Sequence, residues 1–131
     1  MKVSIWLILI MSSCLVRCWI DDLKLIANPA YAIGTVDYYS YGGGNGVSSH
    51  IHFHYGVNGS NYSSGYDNGD NRWNVPWTCG NCKNGNMFMV QYDSLQPSTG
   101  RMLFSYQVAD SLDYKKHLLQ FKKTPPGYPS P

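Results

Sequence analysis

Ser48-Ser49-His50-Ile51-His52-Phe53-His54-Tyr55-Gly56-Val57-Asn58-Gly59 carries the strongest structural signal in the chain. Ile51, Phe53, Tyr55 and Val57 fall on one side of an extended backbone, and His50, His52 and His54 fall on the other. A period of two marks a strand with one buried face and one solvated face. Asn58-Gly59 follows at once. Both central residues of a type I′ turn need positive φ, which Asn and Gly tolerate, so the chain should reverse there into a hairpin. The returning strand is Asn61 to Tyr66, with Tyr62 and Tyr66 as its heavy side chains.

Working outward, Gly42-Gly43-Gly44-Asn45-Gly46 is a connection with nothing apolar to bury, and Tyr31 to Tyr41 before it reads as the opening strand. On the other side, residues 67–85 form a long polar excursion in which only Trp73, Val75 and Trp77 offer apolar surface. Asn86 to Tyr92 is a fourth strand, with Phe88, Val90 and Tyr92 on one face and Met87, Met89 and Gln91 on the other. Asp93 to Pro97 makes a turn, because Asp bonds its own backbone and Pro fixes φ. Arg101 to Val108 is the fifth strand, with Met102, Phe104, Tyr106 and Val108 alternating. Leu112 to Phe121 reads as one or two helical turns, and Thr124 to Pro129, with three prolines, as an extended tail. The fold expected is all-β, a small five-stranded antiparallel sheet or partly closed barrel over residues 31–110, with residues 111–131 as short helical turn and tail.

Composition agrees. Eleven Tyr and thirteen Gly favour strands and turns, and the chain has no Glu, its acidic charge coming from eight Asp. The formal charge of +2 is too small and too dispersed for a nucleic-acid partner. From Arg101 onward there are five basic and two acidic residues; Lys115, Lys116, Lys122 and Lys123 read first as a solvated surface and second as a contact for anionic lipid.

Residues 1–20 read as a leader: Met1-Lys2, an apolar run from Val3 to Met11, then Ser12-Ser13-Cys14. Ser-Ser-Cys resembles a bacterial lipoprotein cleavage site, which would make Cys14 the lipidated first residue, although Met11 stands where Leu, Val or Ile is usual. Beyond Cys14, apolar character continues through Ile20, so that Val3 to Ile20 spans 18 residues and can also serve as an uncleaved membrane anchor, with Arg17 snorkelling. Complete cleavage and secretion is the third outcome. Residues 21–30 read as a linker. The expected address is the cell envelope, with the domain membrane-anchored on its periplasmic or extracellular side.

Three stretches together resemble an uncharacterised family of small membrane-tethered β-domains of Gram-negative bacteria: Ala32-Ile33-Gly34-Thr35-Val36; Phe53-His54-Tyr55-Gly56-Val57-Asn58-Gly59-Ser60-Asn61-Tyr62; and Gly85 through Pro97. The likeness covers roughly residues 31–108. It implies an architecture and a location, with no known activity attached. Cys79, Cys82 and the three alternating histidines depart from the family pattern, so chemistry special to this chain would sit there.

His50, His52 and His54 project from one strand face with neighbouring Cα atoms about 6.5–7 Å apart, a spacing from which two imidazoles can converge on a metal. The plainer reading is the solvent face of a half-exposed strand. Cys79-Gly80-Asn81-Cys82 lies in a Gly/Asn loop rather than at a helix start, which favours a disulfide over a redox or zinc pair. Trp73 and Trp77 suit either a sugar-stacking platform or a cap on the sheet. No acid/base pair, nucleophile elbow, phosphate loop or metalloprotease motif occurs, so no catalytic residue and no cofactor is assigned. The expectation is a non-catalytic interaction or structural module with an unknown protein or glycan partner; the alternatives are a metal-binding envelope protein using the histidine strand and a carbohydrate-binding module.

Overall fold

The computed structural model describes residues 23–40, 50–67 and 82–127. Five strands form one antiparallel sheet: β1 (Pro29–Ser40), β2 (His50–Val57), β3 (Ser60–Asp67), β4 (Met87–Asp93) and β5 (Gln96–Gln107). Their order across the sheet is β3-β2-β1-β4-β5, and a 13-residue helix, Ser111–Lys123, follows β5. The fold is mostly β. Of the two forms expected, the sheet is the one observed: β3 and β5 remain edges without a ladder between them, although the sheet curls enough to bring them near each other.

The hairpin forms as its sequence dictates, with φ of 51° at Asn58 and 81° at Gly59. Its register puts Ile51, Phe53, Tyr55 and Val57 on the concave face, where they join Ala32, Val36, Phe88, Val90 and Met102 in one core cluster. Tyr55 crosses that concavity. Its hydroxyl donates to the Pro97 carbonyl at 2.7 Å, joining β2 to β5 across the two strands that separate them in the sheet. Gly100 makes the crossing possible, since a Cβ there would come within 2.5 Å of the Tyr55 oxygen. Burial pushes the Tyr55 phenol up to about 12, with Tyr62 and Tyr92 beside it adding to the effect.

The reverse face of β1, β4 and β5 is also apolar. Tyr31, Ile33, Met87, Met89 and Leu103 pack there against Tyr114, Leu118 and Phe121 of the helix. The helix is therefore longer than the one or two turns expected, and it completes a second core. Asp110 caps it, accepting hydrogen bonds from the Leu112 and Asp113 amides, and Asp113 accepts from the Ala109 amide. A chain without Glu thus builds both halves of its helix start from Asp.

Strand β5 departs from simple alternation. Met89 faces Leu103 while the next residue back, Phe88, faces Gln107. The register slips by three residues, and an odd slip reverses which side chains face which layer. Met102 and Phe104 stay with the concave core, whereas Tyr106 and Val108 join the helix side. The four do not share one face as their spacing suggested.

The stretch read as a linker is also structured from residue 23. Residues 23–27 are helical, Leu25 is fully buried, and Pro29 and Ala30 already pair with Asp93 and Tyr92 in the ladder. Gln91 and Arg101, both buried, tie this turn to the C-terminal end. Arg101 donates through Nε and Nη2 to Gln91 Oε1, Gln91 donates to the Leu25 carbonyl, and Arg101 Nη2 reaches the Gly127 carbonyl. The leader, and the tail beyond Gly127, lie outside the described residues.

Candidate functional site

The helix covers only part of the outward face. Over the end of β1 and over β2 and β3, that face carries Asp37, Tyr38 and the three histidines, with no described element above them. Register places His54 between Thr35 and Ser63, His52 between Tyr38 and Gly65, and His50 between Ser40 and Asp67. The alternation of β2 therefore places the histidines outward because it places Ile51, Phe53 and Tyr55 inward.

A bulge shapes the site further. The β1–β2 register shifts between Val36 and Tyr38, leaving Asp37 without a direct partner. An extra residue redirects its side chain, and the Asp37 carboxylate lies 2.6 Å from His54 Nδ1, with both groups a little under half exposed. A carboxylate only accepts, so Nδ1 carries the proton and donates, and a neutral His54 ring keeps its lone pair on Nε2. The Asp37 contact fixes the ring orientation in the same way that carboxylates orient metal-ligating histidines. His52 lies beside Tyr38, with ring centroids 6.2 Å apart, and over Gly65, where a Cβ would approach its Nδ1 to 2.9 Å. Gly65 leaves the room this ring occupies.

The three histidines thus share a face but do not converge. Among the described residues, no group of three or more His, Cys, Asp or Glu is gathered to hold a metal ion. Cys82 is 1 % exposed within the concave core; Cys79, its expected partner, lies outside the described residues, as do Cys14, Trp73 and Trp77.

Two features escaped the sequence reading. The Asp37–His54 pair depends on a bulge that alternation does not announce, and the only hint was an Asp inside the strand, between Val36 and Tyr38. The second is an apolar groove of about 470 Å³ between residues 23–27 and the helix, lined by Ile26, Pro29, Tyr31, Leu118, Phe121 and Lys122 among others. Burial raises the Tyr31 phenol above its usual range, against the opposing pull of Arg101. No described helix is long and apolar enough to cross a membrane.

No family model matches the chain, and neither the curated proteins nor the solved structures contain a match to it.

Proposed function

We propose that this chain is a membrane-anchored, non-catalytic interaction module of the cell envelope, and that its working surface is the outward half-sheet bearing Asp37, Tyr38, His52 and His54. The observation supporting this reading is the bulge at Asp37, which orients His54 on a face that the fold does not need for its core. An aromatic ring, a fixed imidazole and a carboxylate side by side suit recognition of a polar partner, protein or glycan. Anchoring rests on the apolar run from Val3 to Ile20 and on the likeness to membrane-tethered β-domains. A disulfide between Cys79 and Cys82, expected in an oxidising compartment, would pin the long loop to the core through buried Cys82.

A photo-crosslinker placed at Tyr38, and separately at exposed Lys83, tests the surface in whole cells. Discrete adducts from position 38 and none from position 83 support the reading; equal background from both rejects it. Location is read independently from a reporter, active only outside the cytoplasm, fused after Pro131, and intact mass separates lipidated Cys14 from retained Met1. An unreduced, alkylated sample in which Cys79 and Cys82 both carry label would end the disulfide proposal.

One observation favours a second reading. The lone pair left on His54 Nε2, with His52 two residues away on the same face, suits capture of a transition metal by a pair of imidazoles. Metal content of the purified protein, compared with that of His52→Ala, decides it: no metal in either would remove this reading.

A further inference from the structure

The helix has a face that neither core uses. Leu112, Lys115, Lys116, Leu119 and Lys123 line one exposed stripe along it, with Leu112 72 % and Leu119 60 % accessible. Their spacing of three, four and seven residues puts them on one side of the cylinder. No acidic residue interrupts the stripe; Asp110 and Asp113 are occupied at the helix start. Leucines flanked by lysines are the arrangement that lies flat on an anionic bilayer, apolar side chains entering the headgroup boundary while ammonium groups meet phosphates.

A second, independent feature points the same way. Residues 23–27 abut this helix, since Ile26 shares a groove with Leu118 and Lys122. Leu23 and Ile26 are themselves 53 % and 54 % exposed. The apolar run Val3 to Ile20 ends only two residues, Asp21 and Asp22, before Leu23. Two residues span at most about 7 Å, so a run that ends in a bilayer delivers the fold to the headgroups beside this helix.

We infer that the Leu112, Lys115, Lys116, Leu119 and Lys123 face docks the domain against an anionic bilayer surface, with Leu23 and Ile26 at its margin. The inference rests on the membrane-anchored reading and fixes how the domain sits. Each lysine near an anionic surface should contribute roughly fivefold to partitioning, so the contact is reversible and salt-sensitive.

The test uses the full chain added from dilute detergent to vesicles of phosphatidylcholine alone, or of phosphatidylcholine mixed with phosphatidylglycerol. Flotation reports anchoring, and acetylation rates of individual lysines report docking, with exposed Lys83 as the reference. The expected result is flotation with both vesicle types and at least about threefold slower acetylation of Lys115, Lys116 and Lys123 on the anionic vesicles alone, reversed by salt. Flotation with both but equal acetylation would overturn docking and leave anchoring intact. Flotation with neither would overturn both. Flotation with anionic vesicles alone, lost in a Lys115→Glu/Lys116→Glu variant whose melting is unchanged, would support docking and overturn anchoring.

Discussion

One face of this sheet is really two surfaces. Over β4, β5 and the start of β1 it carries Tyr31, Ile33, Met87, Met89 and Leu103, and the helix closes on them. Over the end of β1, β2 and β3 it carries Asp37, Tyr38, His52 and His54 with no described element above. The backbone is continuous across both, so the division is made by side chains alone. Aromatic and sulfur-bearing side chains recruit a layer, whereas a carboxylate and imidazoles keep their own contacts and leave the surface open. The covered half should therefore hold the stability, and the open half should be nearly free to change.

The sharpest break in that comparison is Phe121→Ala. Phe121 is 4 % exposed and lies against Tyr31 and Tyr106 with ring centroids 4.7 and 4.8 Å away. Its truncation should cost about 3–5 kcal/mol in urea unfolding. His52→Ala on the open half should stay within about 0.5 kcal/mol. Similar costs for the two would mean that the halves are not energetically distinct.

The concave side supplies the next effect, through pH. The Tyr55 phenol is raised to about 12 in the fold, against about 10 in an unfolded chain. Below pH 10 it is neutral in both states and its contribution is complete. Between about 10 and 12 the unfolded chain loses the proton first, so stability falls by about 2 kcal/mol as pH rises. Tyr31 and Tyr114 shift in the same direction through burial and add to the decline. Tyr55→Phe should remove the Tyr55 share of this alkaline loss and lower neutral-pH stability by about 1 kcal/mol through the lost bond to Pro97. An unchanged alkaline profile in that variant would show that the phenol is not held as described.

These contrasts show why the sequence was readable in some places and not in others. The period of β2 and the Asn58-Gly59 turn are local: each residue's role follows from its neighbours, and both formed as read. The faces of β4 were equally legible, but the reason Met87 and Met89 are apolar lies in a helix more than twenty residues away. A helix with exposed Leu112 and Leu119 shows a blurred amphipathic pattern, which made it look shorter than it is. In β5, alternation held to Phe104 and failed at Tyr106, because a three-residue slip leaves no mark in the pattern of apolar residues. Leu25 was hidden for a similar reason: its flanks, Lys24 and Asn28-Pro29, resemble a linker, and the group that holds its carbonyl, the Gln91 side chain, lies far along the chain. The Asp37–His54 pair needed a bulge, which is set by how two strands meet.

A smaller effect sharpens the boundary of the covered half. Asp110→Ala removes the acceptor for the Leu112 and Asp113 amides and should cost about 1 kcal/mol. The loss belongs to the first helical turn, so amide exchange should quicken there while Met89 in the sheet keeps its protection. Faster exchange at Met89 as well would mean that helix and sheet open as one unit.

The smallest effect is the most informative about function. The Asp37–His54 contact is 2.6 Å long but nearly half open to water on both sides, and such pairs contribute about 0.2–1 kcal/mol at most. A double-mutant cycle with Asp37→Asn and His54→Ala should return a coupling in that range, far below the cost of Phe121→Ala. A bulge that positions a carboxylate gives up a ladder hydrogen bond for an interaction of this size, so its stabilising effect alone is a weak reason for the distortion. A coupling well above 1 kcal/mol would assign the pair to the core's energetics and weaken the interaction reading. A coupling in the small range, together with loss of crosslinked adducts at position 38 in Asp37→Asn, would place its value in the surface it organises.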